Sequence, residues 1–157
     1  VSGILGLSKI GLDNYNSKLE KFHEAKSKYL LPQPRVDLGI SLKNIANSMI
    51  DISDGLIQDA THLAKSSKLT VEVNLSKIPL PIIKKLDNKL ILNSALYGGD
   101  DYELLFSCNV FNENVVKEIS KKLNLKLKKI GIFKEFKKKY LEFKENNSMP
   151  KNSYLHF

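Results

Sequence analysis

The stretch that decides the fold is Met49-Ile50-Asp51-Ile52-Ser53-Asp54-Gly55-Leu56, because its pattern changes there from alternating to helical. Successive side chains of a strand point to opposite faces, so Ile50 and Ile52 share one face while Asp51 and Ser53 share the other. From Leu56 onward, apolar residues recur at helical spacing, which predicts a helix that starts near Ser53 or Asp54. The sequence therefore predicts an apolar strand that ends in oxygen-bearing side chains and leads directly into a helix.

The polar residues of this junction have two interpretations. A helix N-terminus offers unpaired N–H groups that suit a phosphate, while the carboxylates of Asp51 and Asp54 suit a hard divalent cation that bridges to that phosphate. Alternatively, Asp and Ser are ordinary N-cap residues, and one of them only satisfies the first turn of the helix. The octapeptide alone does not separate the two interpretations, since short motifs often match by chance.

Length and composition indicate one globular domain. The 157 residues suffice for a buried core, and 42% hydrophobic with 27% charged residues is ordinary for such a domain. The sequence has neither an apolar run long enough to span a bilayer nor the pattern of a signal peptide, so we expect no membrane partner. Cys108 is the single cysteine and the three histidines are far apart, which excludes an internal disulfide and a Cys/His zinc site. A reducing cytoplasm is the expected location.

The net charge of +8 raises the question of nucleic-acid binding, because lysines are concentrated between Lys117 and Lys144. Arg35 is the only arginine, however, although the planar fork of arginine is preferred for phosphate and base recognition. Lysine and asparagine are abundant throughout the chain. We therefore predict a solvated lysine face and no nucleic-acid partner, and keep a basic polyanion-binding module as the alternative from a different functional class.

Strand and helix patterns alternate along the chain, which indicates a layered domain of α and β elements. The predicted elements are an extended segment over 1–8, a helical pattern over 12–30, a loop at Pro32 and Pro34, a short helix over 38–46, a strand over 48–52, a helix over 54–67, a strand over 69–73, a turn over 76–81, a helix in two pieces over 82–96, a strand over 102–108, a helix over 112–123, and strands over 126–133 and 139–143 that are candidates for a hairpin.

A second acidic motif, Gly98-Gly99-Asp100-Asp101-Tyr102-Glu103, stands at the entrance of a predicted strand. Glycine lets the backbone and a ligand approach closely. Adjacent strand residues point to opposite faces, so only one of Asp100 and Asp101 can share a face with Asp51. We favour Asp100 as the site residue and expect Asp101 to cap or turn the chain.

In this order, the two motifs resemble the C-terminal domain of the thiamine-monophosphate kinase family, within the aminoimidazole ribonucleotide synthetase superfamily. The resemblance covers most of the chain, through residues 1–6, 34–36, 49–62, 78–80, 98–106 and 156–157. It implies an α+β fold in which a mixed β-sheet is flanked by α-helices, with residues 1–157 forming one C-terminal domain. It also implies a preceding N-terminal ATP-binding and dimerisation domain, a homodimeric complete enzyme, and a chain that is inactive alone.

The activity implied by the resemblance is Mg²⁺-dependent transfer of the γ-phosphoryl group of ATP to thiamine monophosphate. In the family, the aspartates of the strand-to-helix motif bind magnesium and the serine between them contacts ATP, which corresponds to Asp51, Asp54 and Ser53. The acidic residue after the double glycine contacts the thiamine phosphate substrate, which corresponds to Asp100. Phosphoryl transfer depends on positioning and charge neutralisation, so we expect no residue of this chain to act as a covalent catalyst.

Three assignments stay open at this stage. The family's C-terminal aromatic residue, which packs on the substrate, corresponds to Tyr154, with Phe157 less favoured; Ser153 stands where the family tends to have glycine. Arg35 either orients a phosphate or pairs with a surface carboxylate. Finally, a related kinase or synthetase of the superfamily that acts on another substrate, such as selenophosphate or a purine-pathway amide, is the nearest rival.

Overall fold

The computed structural model describes residues 1–144; residues 145–157, which include Tyr154 and Phe157, lie outside the described part. The helices are α1 (Leu7–Asp13), α2 (His23–Leu30), α3 (Val36–Ser41), α4 (Leu56–Ser67), α5 (Asn88–Tyr97) and α6 (Glu113–Lys122). The strands are β1 (Ala46–Asp51), β2 (Leu69–Val73), β3 (Leu104–Cys108), β4 (Gly131–Glu135) and β5 (Leu141–Phe143).

The strands form two ladders. β1 pairs with β3 in antiparallel fashion, with Asp51 opposite Leu104 at one end. β2 lies between β4, to which it is antiparallel, and β5, to which it is parallel. The predicted α+β class, with a mixed sheet flanked by helices, is confirmed. The suggested hairpin of the last two strands is wrong, because β2 separates β4 from β5 and satisfies the backbone groups of both.

The junction between β1 and α4 follows the predicted pattern. Ile52 is fully buried, whereas Asp51 is exposed, as the alternation requires. The apolar stripe of α4 enters the main core through Leu56, Ala60 and Leu63, which pack with Ile52 and residues of the β2 ladder. Burial of this stripe, at roughly 25 cal/mol per Å² of apolar surface, holds the helix against the strand from which it emerges.

The helical pattern predicted over 12–30 divides into two helices, and the segment expected to be extended over 1–8 already becomes helical at Leu7. Helix α1 ends at Asp13, and a break of polar residues follows before α2. Of the first residues, Ser2 forms an isolated antiparallel bridge with Leu127. Two short helices thus replace one long one, because the intervening asparagines and serine favour a turn over a helix.

Further boundaries differ from the prediction. The short helix predicted over 38–46 spans Val36–Ser41, and Ala46 already belongs to β1. Residues 82–87 are not helical, and α5 begins only at Asn88, where the Asp87 side chain accepts a hydrogen bond from the backbone N–H of Lys89. This N-cap sets the start of the helix. The strand predicted from Lys126 starts instead at Gly131, since the residues before it include the bridge to Ser2 rather than a continuous ladder.

We predict opposite outcomes for two glycine substitutions. A Cβ at Gly11 would overlap the carbonyl oxygen of Ala25, where α1 packs on α2, so Gly11→Ala should lower the free energy of unfolding by about 1 to 3 kcal/mol. A Cβ at Gly39 in α3 would meet nothing within 4 Å, so Gly39→Ala should leave stability unchanged or raise it by up to about 1 kcal/mol. Urea unfolding measures both. Equal effects would contradict the close α1–α2 contact.

Candidate functional site

The two acidic motifs lie side by side, joined by backbone hydrogen bonds that extend the β1–β3 ladder. The N–H of Ile52 donates to the carbonyl of Glu103 at 2.8 Å, and the N–H of Tyr102 donates to the carbonyl of Ile52 at 2.9 Å. Beyond them, the N–H of Asp100 donates to the carbonyl of Ser53 at 3.0 Å. The sequence motifs are therefore neighbours in space because the end of one strand pairs with the entrance of the other.

Gly99 is required for this approach. A Cβ at this position would overlap the carbonyl oxygen of Ser53, the same group to which Asp100 is hydrogen-bonded. Any larger residue would force the two motifs apart. Gly99 thus allows close backbone contact between the motifs.

The outward side of this junction carries the predicted site residues. Asp51, Asp54 and Asp100 are exposed, and Ser53 is half-buried. One Asp54 carboxylate oxygen accepts a hydrogen bond from the Gln58 amide at 3.0 Å. The structure places Asp100 on the backbone segment that pairs directly with the segment carrying the other three residues. Tyr154 lies outside the described residues.

Asp101 points the other way and is fully buried. Its carboxylate accepts hydrogen bonds from the backbone N–H groups of Gly6, at 2.5 Å, and Ser8, at 3.1 Å. It therefore caps the start of α1, which confirms the expectation that one of the two adjacent aspartates has a capping role. Burial raises the pKa of Asp101 to about 6, although the two N–H donors and the positive charge of Lys28 favour its ionised form.

Glu103 is also buried, and it accepts hydrogen bonds from three parts of the chain, two of which are positively charged. Its carboxylate accepts hydrogen bonds from Arg35, at 2.7 Å to Nε and 2.6 Å to Nη2, and from Lys28 at 2.9 Å. The Ser2 hydroxyl donates a further bond at 2.8 Å. Burial opposes ionisation, but the donors outweigh it, so the pKa of Glu103 is lowered. Arg35 thus has an ion-pair role, with a buried carboxylate rather than the surface one considered from the sequence.

Asp59 is the structural residue that sequence reasoning missed. Helix α4 begins at Leu56, later than predicted, and the buried carboxylate of Asp59 accepts hydrogen bonds from the backbone N–H groups of Ser53 and Asp54, at 3.0 and 3.1 Å. These two N–H groups are therefore not free for a phosphate, contrary to the expectation for this junction. The sequence feature that indicates this role is the position of Asp59 in the first turn of α4, next to the apolar stripe.

The electrostatics show that three carboxylates share this junction. Burial raises the pKa of Asp59, the two N–H donors oppose that shift, and the negative charges of Asp54 and Asp51 raise it further. Such a concentration of negative charge favours the binding of a cation.

The donor chemistry fits magnesium. Mg²⁺ binds through one or two carboxylates together with water and substrate phosphates, and Asp51 and Asp54 supply two exposed carboxylates. Within residues 1–144, no group of three or more His, Cys, Asp or Glu side chains is placed to hold a metal ion. The described residues thus fit a shared magnesium–phosphate site, not a closed protein cage.

A cavity of about 680 Å³ lies apart from these residues, between the two ladders and α6. Its lining includes Val71, Leu105 and Val116, and it does not include Asp51, Asp54 or Asp100. The acidic residues therefore lie outside this cavity.

Residues 3–144 match the family model described as AIR synthase related protein, C-terminal domain. The chain belongs to this family. The match spans both ladders and the acidic junction, so it covers the whole described fold except the first two residues. Within the described part of this AIR synthase related domain, no helix is long and apolar enough to cross a membrane.

Relatives that this AIR synthase related domain matches include thiamine-monophosphate kinases. The chain is 40% identical over 136 residues to the thiamine-monophosphate kinase of Buchnera aphidicola subsp. Schizaphis graminum (strain Sg), an alignment that covers 82% of this chain and 40% of the relative. The crystal structure of thiamine-monophosphate kinase from Stenotrophomonas maltophilia K279a superposes with a TM-score of 0.84 at 28% identity, covering 91% of this chain and 48% of that one.

A further similar structure is that of AaThiL complexed with AMPPCP and TMP. It superposes with a TM-score of 0.74 at 29% identity, covering 99% of this chain and 50% of that chain. The AIR synthase related domain therefore spans half or less of the length of these proteins.

We predict that Glu103→Gln destabilises the domain strongly. The substitution removes the negative charge and leaves Arg35 and Lys28 without their buried ionic partner. This loss should lower the free energy of unfolding by about 3 to 5 kcal/mol. The control is Glu72→Gln, which breaks the more exposed pair with Lys134 and should cost under about 1 kcal/mol. Similar losses in urea unfolding would refute a central role for the buried cluster.

A pH prediction follows from Asp101. Its folded pKa of about 6 lies above the ordinary 3.8, so its contribution to stability is fully present below that ordinary pKa and is lost as pH rises through the folded value. We therefore compare the free energy of unfolding of the natural domain with that of Asp101→Asn. The advantage of the natural domain should fall by roughly 3 kcal/mol between pH 4 and pH 7. A difference that grows with pH would mean that the N–H donors outweigh burial.

Proposed function

We propose that this chain is the C-terminal half of a Mg²⁺-dependent kinase that transfers the γ-phosphoryl group of ATP to thiamine monophosphate, giving thiamine diphosphate. The observation that carries the proposal is the backbone pairing of Ser53 with Asp100, which sets the exposed carboxylates of both acidic motifs on one junction. The similarity to thiamine-monophosphate kinases, and to AaThiL complexed with AMPPCP and TMP, supports both the reaction and the two substrates.

Each exposed residue of the junction has a role in this proposal. Asp51 and Asp54 hold magnesium, which when bound supplies positive charge that neutralises the phosphates of ATP. The Ser53 hydroxyl has no hydrogen-bond partner within residues 1–144 and is placed to donate to ATP. Asp100 contacts the thiamine phosphate substrate, for which its exposed carboxylate offers attraction to the cationic thiazolium ring. Tyr154 packs on that ring through a cation-π contact of about 0.5 to 2 kcal/mol.

The buried residues have a supporting role in the same proposal. Asp59 holds the Ser53–Asp54 loop by its backbone, and Asp101 and Glu103 hold the partner segment from the opposite side. Ligand-binding carboxylates work best when their backbone is held rigidly before the substrates arrive. The reaction itself needs two polyanions brought into line, so positioning is the main contribution of this half.

The proposal includes partners beyond the chain. An N-terminal half of the same enzyme completes the ATP and magnesium sites, the complete enzyme is a homodimer, and it works in the cytoplasm. The coverage of half or less of each relative supports a second part of similar size.

The test joins this chain to the N-terminal half of the Buchnera aphidicola relative and measures thiamine diphosphate formed from ATP and thiamine monophosphate. The chain alone should show no turnover, and the joined protein should be active only with Mg²⁺. Asp54→Asn in the joined protein should lower kcat by roughly 100-fold, because a charge-neutralising contact to the reacting phosphates is lost.

The matched control is Glu142→Gln, an exposed carboxylate of β5 outside the junction, which should leave kcat unchanged. A panel of other acceptors, including selenide and purine-pathway amides, tests the rival substrates. Preference for one of these, or full turnover by the chain alone, would end the specific claim.

A further inference from the structure

Large apolar side chains are exposed along the first three helices, a feature that the proposed chemistry does not use. Seven of them lie within residues 12–40 and are each 44% to 76% exposed. Single exposed apolar residues are ordinary, but such a concentration marks a surface that another body covers. We call it the α1–α3 apolar surface, and its members are Leu12, Tyr15, Leu19, Leu30, Leu31, Val36 and Ile40.

The members of this surface are linked through the fold. Val36 and Ile40 are one turn apart on α3, so they share a face, while Leu38 points into the core. Leu30 and Leu31 form the end of α2, and only a short loop separates them from Val36. At the other end, the ring of Tyr15 meets the ring of Tyr29 edge to face, with centroids 6.5 Å apart, which joins the end of α1 to the last turn of α2.

The surface is held rigidly. Pro32 and Pro34 restrict the loop between α2 and α3. Arg35, which follows them, is anchored by its two-point ion pair with buried Glu103, and Lys28 anchors α2 to the same carboxylate. Apolar side chains on a backbone fixed in this way lose little conformational entropy when they are covered, which is the property of a prepared docking surface.

Charged residues surround the surface. Glu20, Lys21 and Glu24 are exposed on and before α2, and Asp37 is exposed on α3. Protein–protein and interdomain interfaces combine apolar and charged residues in this way. The two signs of charge favour a folded protein partner over a lipid surface or a nucleic acid.

The position of the surface points to its occupant. Through Arg35 and Glu103 it is joined to the strand entrance that also carries Asp100, so the surface and the acidic junction are anchored to one backbone segment. The chain spans 40% of the Buchnera relative and about half of the two similar structures, and its family model is a C-terminal domain, so the relatives have a further part of similar size.

We propose that the α1–α3 apolar surface is the docking surface for the N-terminal half of the complete enzyme. This inference rests on the proposed function for the existence of that half, and it adds which face of the present domain the half covers. Docking there sets the acidic junction against the partner half, so that the two together form the walls of the substrate cleft.

The experiment measures amide hydrogen exchange of residues 12–40 in the isolated chain and in the chain joined to the Buchnera N-terminal half. Exchange should slow by at least tenfold in the joined protein. The double variant Leu31→Gln and Ile40→Gln should lose that protection, whereas the control Ile82→Gln and Phe111→Gln, at the two most exposed apolar residues outside the surface, should keep it. Unchanged exchange on joining, or a double variant as protected as the control, overturns the proposal.

Two further readouts separate the possible outcomes. Light scattering of the isolated chain tests a second copy as the occupant; a dimer of the isolated chain that the double variant dissociates, with no further slowing of exchange on joining, overturns the proposal. Turnover of the joined protein is scored independently. Protection without kinase activity supports the docking surface and counts against the proposed reaction, while activity without protection supports the reaction and overturns the docking surface.

Discussion

The buried carboxylate of Glu103 is the interaction on which the rest of the structure depends. A lone carboxylate removed from water would cost several kcal/mol, and it is tolerated here because Arg35, Lys28 and Ser2 all donate to it. Since these donors come from the first residues, from α2 and from the loop before α3, one charge fixes the relative position of three segments. The backbone of the same residue pairs with Ile52, so the anchor and the acidic junction share one strand entrance.

At the entrance of β3, the carboxylates that hold the fold point inward and the carboxylate of the proposed site is exposed. Asp101 and Glu103 point inward and hold the fold, whereas Asp100 is exposed on the opposite side. Asp100 and Tyr102 both have positive φ, 64° and 48°, a backbone conformation that costs side-chain-bearing residues energy. Strain of this kind persists only where surrounding contacts impose it, and here the inward carboxylates and the pairing with Ser53 impose it.

Sequence reasoning succeeded where one local pattern dominated. The alternation of Ile50 to Ser53 and the helical stripe after Leu56 gave the strand, the helix and the exposed carboxylates. The choice of Asp101 as a capping residue followed from the same alternation. These predictions depend only on neighbours in the sequence, for which residue type and spacing are informative.

The remaining features depend on partners far away in the sequence. The role of Asp59 in binding the Ser53 and Asp54 N–H groups, and the pairing of Arg35 with Glu103, require knowledge of which groups meet in three dimensions. The position of β2 between β4 and β5 is a question of topology, which local propensity does not address.

The bonding of the first residues has a consequence for biosynthesis. Ser2 donates its backbone N–H to Leu104, and Gly3 donates to Lys126, so the start of the domain finds its partners only near the domain's other end. On a translating ribosome these residues must wait while most of the domain is made, and contacts between such distant residues slow folding. Premature termination before Lys126 would therefore leave the backbone N–H of Gly3 without its partner, and the truncated product would be a natural target for chaperones and proteases.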